Sequence, residues 1–423
     1  MDTRVLDQTY RRIVDERPNE FRVSTNAYRD AKVFIDEMHR IFYRTWIFVC
    51  HETEIPNPGD FKSVMIGLQP VIATRDQDGN LHVVPNACTH RGGTLVREVR
   101  GNARNLICPY HGWAFRPNGE IAAISDPSRY GPDFDPSSKR LKRLPHVESY
   151  AGLVFASFNE NVEPLRQHLG GAIKHIDWWA KRTAGRNYQL AEPHRYIVDG
   201  NWKFQSENVY DGYHPGFVHK SAFETMRKFA GSFQGRYYGA VRNQGYTRGY
   251  PQGHGTLEAG MPLESGDIDP VVRKDYMAEL EALYGPEEAT EIIGNRHILV
   301  FPNLTLLDFN LRVIQPISLD RTEVYSYPLL LDGAHDNLNA NRLLDAQTRV
   351  GTAGILSADD IEVFAGNQNA LKALGNEWFT LSRGLGLEEV KPDGERVGTY
   401  SDEAPQRAFW RKWVSLMSQE VLA

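Results

Sequence analysis

Two short stretches carry Cys88-Thr89-His90 and, after a further 17 residues, Cys108-Pro109-Tyr110-His111, so each offers one thiolate and one imidazole. No other feature constrains the chain as much, because four ligands on two tight loops must be brought together by a small, rigid scaffold. The set suits a [2Fe-2S] cluster in which two thiolates hold one iron and two imidazoles the other. Glycines follow both pairs, at Gly92-Gly93 and Gly112, where backbone has to pass close to the sulfides. Four-coordinate zinc could use the same residues. Zinc fingers usually pair like ligands within a loop, however, and here Cys is paired with His twice. Such a cluster moves single electrons, so the rest of the chain must supply their destination.

At 423 residues the chain is long for one core and suggests two or three domains. A hydrophobic fraction of 41% and a charged fraction of 24% are ordinary for a globular protein, and a net charge of −6 gives no reason to expect nucleic acid or an anionic membrane as partner. The amino terminus lacks a signal-peptide core, and no run of apolar residues is long enough to span a bilayer, so a cytoplasmic enzyme is expected. Cys50 is the only cysteine outside the motif, which rules out a disulfide framework; it reads as a small buried hydrophobe.

Helical spacing at Val33, Phe34, Met38, Ile41 and Phe42 predicts a helix between Asp7 and about Arg44. Short β-rich runs separated by turn signals, among them Gln77-Asp78-Gly79-Asn80 and Pro117-Asn118-Gly119, then predict a small antiparallel β-domain between Gly59 and Asn159. Beyond Pro164 the pattern reads as helix to Thr183, strand from Tyr188 to Val198 and helix from Asn201 to His219. Strands follow around Phe233 to Gly249 and Arg296 to Leu331, then a long helix from about Ala340 to Leu374, with an irregular loop over Gly249 to Gly266.

A second constellation lies in the Asn201–His219 segment. On one helix Glu207, Asp211 and His214 fall at i, i+4 and i+7 and share a face, and Pro215-Gly216 would let His219 turn to the same point. Two imidazoles and one carboxylate make the facial triad of non-heme Fe(II) oxygenases, which leaves open positions for dioxygen and substrate. A carboxylate from elsewhere must complete it. Asp211 can accept the outer N–H of His214, and Glu207, Asn208 and Tyr213 are placed around the ligands rather than on the metal. The other ten histidines, including His82, His175, His254 and His297, are read as ordinary structural residues.

Cys88-Thr89-His90-Arg91-Gly92 with Cys108-Pro109-Tyr110-His111-Gly112-Trp113 resembles the Rieske domain of aromatic-ring-hydroxylating dioxygenase large subunits. The resemblance extends through Asn201-Trp202-Lys203, the His214/His219 segment and Phe301-Pro302-Asn303, and comes nearest to the benzoate, anthranilate and salicylate type. It implies an α+β chain: a helical segment (1–44) packing on the catalytic domain, an antiparallel β Rieske [2Fe-2S] domain (45–160), and a helix-grip (START-like) antiparallel-sheet catalytic domain with a mononuclear iron (161–423). It implies Cys88, His90, Cys108 and His111 as cluster ligands. By likeness to the family's distal segment, Asp360 of Asp359-Asp360 joins His214 and His219 on the iron, with Asp359 as the competing assignment. Asp211 would bridge His214 to His111 of a neighbouring subunit.

The resemblance further implies reductive activation of dioxygen at Fe(II) with electrons from a ferredoxin and a flavin reductase, and a small β subunit in an α3β3 hexamer. The expected substrate is an ortho-substituted benzoate such as anthranilate or salicylate, cis-dihydroxylated to give a catechol; a Rieske monooxygenase would share both metal sites. A substrate carboxylate calls for a cation in an apolar pocket, and Arg242, Arg248, Arg296 and Arg312 are equal candidates on sequence. The basic run Lys139, Arg140, Lys142 and Arg143 could steer an acidic ferredoxin, though such runs are usually solvated surface.

Overall fold

The computed structural model describes residues 10–229, 245–259, 268–373, 375 and 377–419. The chain divides into two compact units, residues 42–165 and the remainder on either side.

The smaller unit is built from three antiparallel sheets. One orders its strands Leu81–Pro85, Gln69–Arg75, Asp60–Ile66 and Arg100–Asn102. A second runs Ile121–Ala123, Ala114–Phe115 and Leu106–Ile107, and a third His146–Tyr150, Leu153–Ser157 and Ile47–His51. Buried Phe61, Ile72, Val84, Leu106, Trp113 and Phe115 form a core that also contains Cys88 and Cys108, so the cysteine-bearing loops are rooted in packed side chains.

The larger unit is organised around a ten-stranded sheet. Tyr188–Leu190 and His194–Val198 pair with one edge of Arg321–Leu331. The order then continues through Asn310–Ser318, Leu304–Leu306, Asn295–Val300, Gly255–Ala259, Gly245–Gly249, Arg396–Thr399 and Glu389–Val390, every pairing antiparallel. Cross-strand register separates two faces. His297, Leu257, Leu299, Thr305, Arg312 and Ser326 share one, and Arg248, Glu258 and Arg296 the other. On the first face lie the helix Trp202–Asn208 with the turn after it, where His297 Nδ1 meets the carbonyl of Val209 at 3.1 Å. On the second, Arg296 stacks over Trp178 of the helix Ile173–Lys181, 4.2 Å from the ring centre. This mixed architecture agrees with the expected α+β class. No helix among the described residues is long and apolar enough to cross a membrane.

Several expected elements differ. Residues 14–24 form a hairpin, Val14–Arg17 with Glu20–Ser24, and helix begins only at Asn26. The helix expected over Asn201–His219 is two pieces, Trp202–Asn208 and Pro215–Val218, and a further helix, Lys220–Phe229, follows it. The long helix expected from Ala340 is two, Asp336–Thr348 and Ser357–Ala370, with Gly351 and Gly354 in the break. Gly255–Ala259, expected as loop, is an interior strand of the sheet. The strand expected over residues 233–244 lies outside the described residues.

Candidate metal centres

In the smaller unit the two ligand loops fold alike. Gly92 donates to Cys88 O at 2.8 Å and Gly112 to Cys108 O at 2.9 Å, while Cys88 and Cys108 donate to the carbonyls of Gly93 and Trp113 at 2.8 and 2.7 Å. Each loop needs a left-handed residue four positions after its cysteine, and Gly92 (φ +71°) and Gly112 (φ +74°) supply it. A Cβ at Gly93 would stand 3.1 Å from Cys108 Sγ, which explains the absence of a side chain there.

The rings of His90 and His111 are 4.7 Å apart, and His90 lies flat on Trp113 at 4.8 Å. His90 Nδ1 is buried without a hydrogen-bond partner. His111 Nε2 faces Arg91 at 2.8 Å, which leaves its Nδ1 for another bond. Two buried sulfurs and two imidazoles with Nδ1 to spare fit a cluster held by two cysteines and two histidines. The basic run nearby is anchored by buried Leu141 and Leu144, while Arg140, Lys142 and Arg143 stay exposed.

In the larger unit the helix from Trp202 ends because Asp211 captures two backbone donors. Its Oδ1 accepts from Tyr213 N at 2.6 Å and His214 N at 3.3 Å, a local turn that competes with helical bonding. Pro215, at the first position of the next turn, restarts the helix. Glu207 and His214 therefore do not share a helical face. The turn instead carries His214 towards His219, with ring centres 5.3 Å apart, and Asp360 arrives from the first turn of Ser357–Ala370.

The converging atoms are His214 Nε2, His219 Nε2 and Asp360 Oδ1. The carboxylate oxygen lies 3.6 Å from the first and 3.3 Å from the second, and one ligand atom from each residue falls within 4.8 Å of the others. Ligands on adjacent corners around an ion, each about 2.1 Å from it, stand roughly 3 Å apart. The three residues therefore need only a small contraction to hold one.

Both imidazoles carry a carboxylate at the outer nitrogen. Asp211 Oδ2 lies 3.6 Å from His214 Nδ1, and Asp359 Oδ2 lies 3.4 Å from His219 Nδ1. The two adjacent aspartates thus face different atoms, Asp360 the inner nitrogens and Asp359 the outer one. Burial lowers the His219 pKa, against the opposing charge of Asp360, which favours the neutral ring that metal binding needs. Burial raises the Asp360 carboxyl, with both imidazoles opposing. Burial also works against ionised Asp211, but the His214 ring and the Tyr213 and His214 N–H groups hold that carboxyl below its ordinary value.

The residues expected around the ligands separate. Asn208 Nδ2 touches the centre directly, 3.2 Å from His214 Nε2 and 3.4 Å from Asp360 Oδ1. Glu207 turns into the core, where Tyr28 Oη donates to it at 2.7 Å and Trp410 Nε1 also donates, and burial pushes its carboxyl up to about 7. Tyr213 points outward, beneath the Arg383 guanidinium at 4.2 Å and edge-on to Phe217. A cavity of about 600 Å³ borders the centre; four carboxylates line it, Glu207, Asp211, Asp360 and Glu403, beside apolar Phe204, Phe364 and Phe379.

Sequence reasoning passed over two neighbours of this centre. His297 is buried behind the turn, its imidazole pushed down to about 4 by burial, with the charge of Arg312 adding to the effect. Asp359 was weighed only as a rival ligand. The pairing of its oxygen with Nδ1 of His219 has no signature in sequence spacing.

Comparison with known proteins matches residues 45–150 to the Rieske [2Fe-2S] domain and residues 185–419 to the catalytic domain of the ring-hydroxylating alpha subunit. The 2-halobenzoate 1,2-dioxygenase large subunit of Burkholderia cepacia is 34% identical over 382 residues, covering 88% of this chain and 81% of that protein. The anthranilate 1,2-dioxygenase large subunit of Acinetobacter baylyi is 32% identical, covering 88% and 82%. A crystal structure of naphthalene 1,2-dioxygenase superposes with a TM-score of 0.84 at 27% identity, covering 94% of this chain and 92% of that one.

Proposed function

We propose, from the premise that this chain belongs to the ring-hydroxylating dioxygenase alpha subunits and is an oxidoreductase with a Rieske [2Fe-2S] cluster and a mononuclear iron, that it is a terminal oxygenase acting on an aromatic carboxylate. The favoured substrates are ortho-substituted benzoates such as anthranilate or salicylate, cis-dihydroxylated to give a catechol. The convergence of His214, His219 and Asp360 carries the reading, because two imidazoles and a carboxylate on one side leave positions for dioxygen and substrate. The likeness to halobenzoate and anthranilate enzymes supports the substrate class.

In this reading Cys88 and Cys108 hold one cluster iron and His90 and His111 the other, while His214, His219 and Asp360 hold the mononuclear ion. Bound there, Fe(II) would supply reductive activation of dioxygen. The chain's own groups do the positioning. Asp211 fixes the ring of His214 and Asp359 that of His219, each through the outer nitrogen. Asn208 places a neutral amide against the ligand atoms, adding a donor without a charge. Asp211 also serves as the bridge from His214 to His111 of a neighbouring copy, so that cluster and iron cooperate between subunits of an α3β3 assembly. A small β subunit, a ferredoxin and a flavin reductase complete the system, and a cytoplasmic location belongs to the same reading.

Turnover of the reconstituted system on benzoate, anthranilate, salicylate and halobenzoates under labelled dioxygen tests it. Two labelled oxygens in the first product are expected. One labelled oxygen would make the enzyme a monooxygenase, and oxygen uptake without product from any of these acids would remove the aromatic-carboxylate reading.

A further inference from the structure

We infer that Arg312, with Thr305 beside it, forms the subsite that receives the substrate carboxylate; this rests on the aromatic-acid function proposed above. Of the four arginines open on sequence, Arg242 lies outside the described residues. Arg248 is committed to Glu258 and to Glu395, the latter at 2.8 Å. Arg296 is committed to Glu258 at 3.2 Å and to Glu291. Both stand on the sheet face away from His297.

Arg312 stands on the face of His297, and the structure leaves it uncommitted. It is 6% exposed, yet among the described residues no carboxylate pairs with it. Its guanidinium reaches only neutral acceptors, Ser357 Oγ at 3.2 Å and the carbonyl of Val350 at 3.4 Å, and its Nε is buried without a partner. Thr305, directly across the ladder from Arg312, is fully buried, and its Oγ1 also has no partner. A buried guanidinium without a counter-charge is costly, and so is each buried polar atom left unpaired. One carboxylate would satisfy both groups, taking N–H bonds from Arg312 and the hydroxyl proton of Thr305.

Location agrees with chemistry. Ser357, whose Oγ accepts from Arg312 at 3.2 Å, opens the helix that delivers Asp360 in its first turn. An acid held there by its carboxylate would stand beside the iron ligands. The cavity on the Asp211 side is unsuited to the same role, because Asp211 is held ionised there and the lining includes no lysine or arginine to receive an anion.

Arg312 also ties its strand to the start of that helix, so the test must separate recognition from support. The complete oxygenase system is assayed as wild type, Arg312→Gln and Thr305→Val, with KM and kcat measured on the acid it accepts best and on the amide of that acid. Iron content is determined in parallel. The inference expects the KM for the acid to rise on the order of 10- to 100-fold in Arg312→Gln and about tenfold in Thr305→Val, from the loss of charge-assisted and neutral hydrogen bonds respectively. It also expects the kinetics on the amide to change far less and iron content to hold. Equal losses on acid and amide, or an unchanged KM for the acid in both variants, would overturn it. Turnover of acids by the wild type keeps the functional reading intact in either of those cases. A wild-type enzyme that oxidises the amide and no acid overturns the functional reading, and this subsite with it.

Discussion

At the scale of single residues, burial decides what each acid near the iron centre can do. Asp211 keeps its charge because two backbone donors and an imidazole face it, and this suits a group that must orient His214. Asp211→Asn retains an oxygen for the backbone donors but loses the charge. It should preserve both metal centres while slowing turnover about 10- to 100-fold, measured as product formed per chain at constant iron and sulfide content; full activity would remove Asp211 from the route. Glu207 lies at the other extreme. Its folded pKa, about 7, stands above the ordinary 4.5, so the fold favours the protonated carboxyl. Stability should therefore fall as pH rises from 4.5 to 7 and stay lower above that. Thermal unfolding of Glu207→Gln across this range should lack that slope; a slope equal to wild type would show that Glu207 is not its source. The two Cys/His pairs and the His214/His219 pair stood out in sequence because their spacing is what the proposed metal sites require. Arg312 did not, because an arginine's value here lies in having no carboxylate partner, and pairing appears only after Arg248 and Arg296 have found theirs.

At the scale of elements, the helix Trp202–Asn208 owes its placement to one buried charge pair. Lys203 Nζ and Glu37 Oε1 are 2.7 Å apart and wholly buried, and Glu37 also accepts from Trp202 and Trp413, each at 2.8 Å. The start of the iron-binding segment is thereby tied to the helix Ala31–Glu37 and to the C-terminal helix Ala404–Met417. Glu37→Ala would leave an ammonium and two indole donors buried without their acceptor, at a cost of about 3–5 kcal/mol. Calorimetry should show a clear fall in Tm; an unchanged Tm would mean that the pair does not anchor the segment. Many strands of the smaller unit, and those over 188–198 and 296–331 in the larger, were readable from alternation and turn residues; the hairpin over 14–24 and the strands Glu389–Val390 and Arg396–Thr399 were not. Helix breaks were harder, since an aspartate that captures the backbone donors two and three residues on looks, in sequence, like any other helical residue. Gly255–Ala259 was missed for a related reason: a short, glycine-flanked strand inside a sheet carries little pattern of its own.

At the scale of the molecule, each compact unit holds one ligand set, four side chains in two matching loops in one and two histidines with Asp360 in the other. The division of labour was visible in sequence, where one set announced electrons and the other a place for them to act. Its central claim is that His214, His219 and Asp360 hold an iron separate from the cluster. The most direct test is iron and acid-labile sulfide analysis, with electron paramagnetic resonance of the reduced cluster, on wild type and Asp360→Ala. Three irons and two sulfides per chain are expected in the wild type, the sum of a [2Fe-2S] cluster and one further ion. In Asp360→Ala the loss of one iron, unchanged sulfide, an unaltered cluster signal and no product are expected. Retention of all the iron by Asp360→Ala, or loss of the cluster signal with it, would contradict the account.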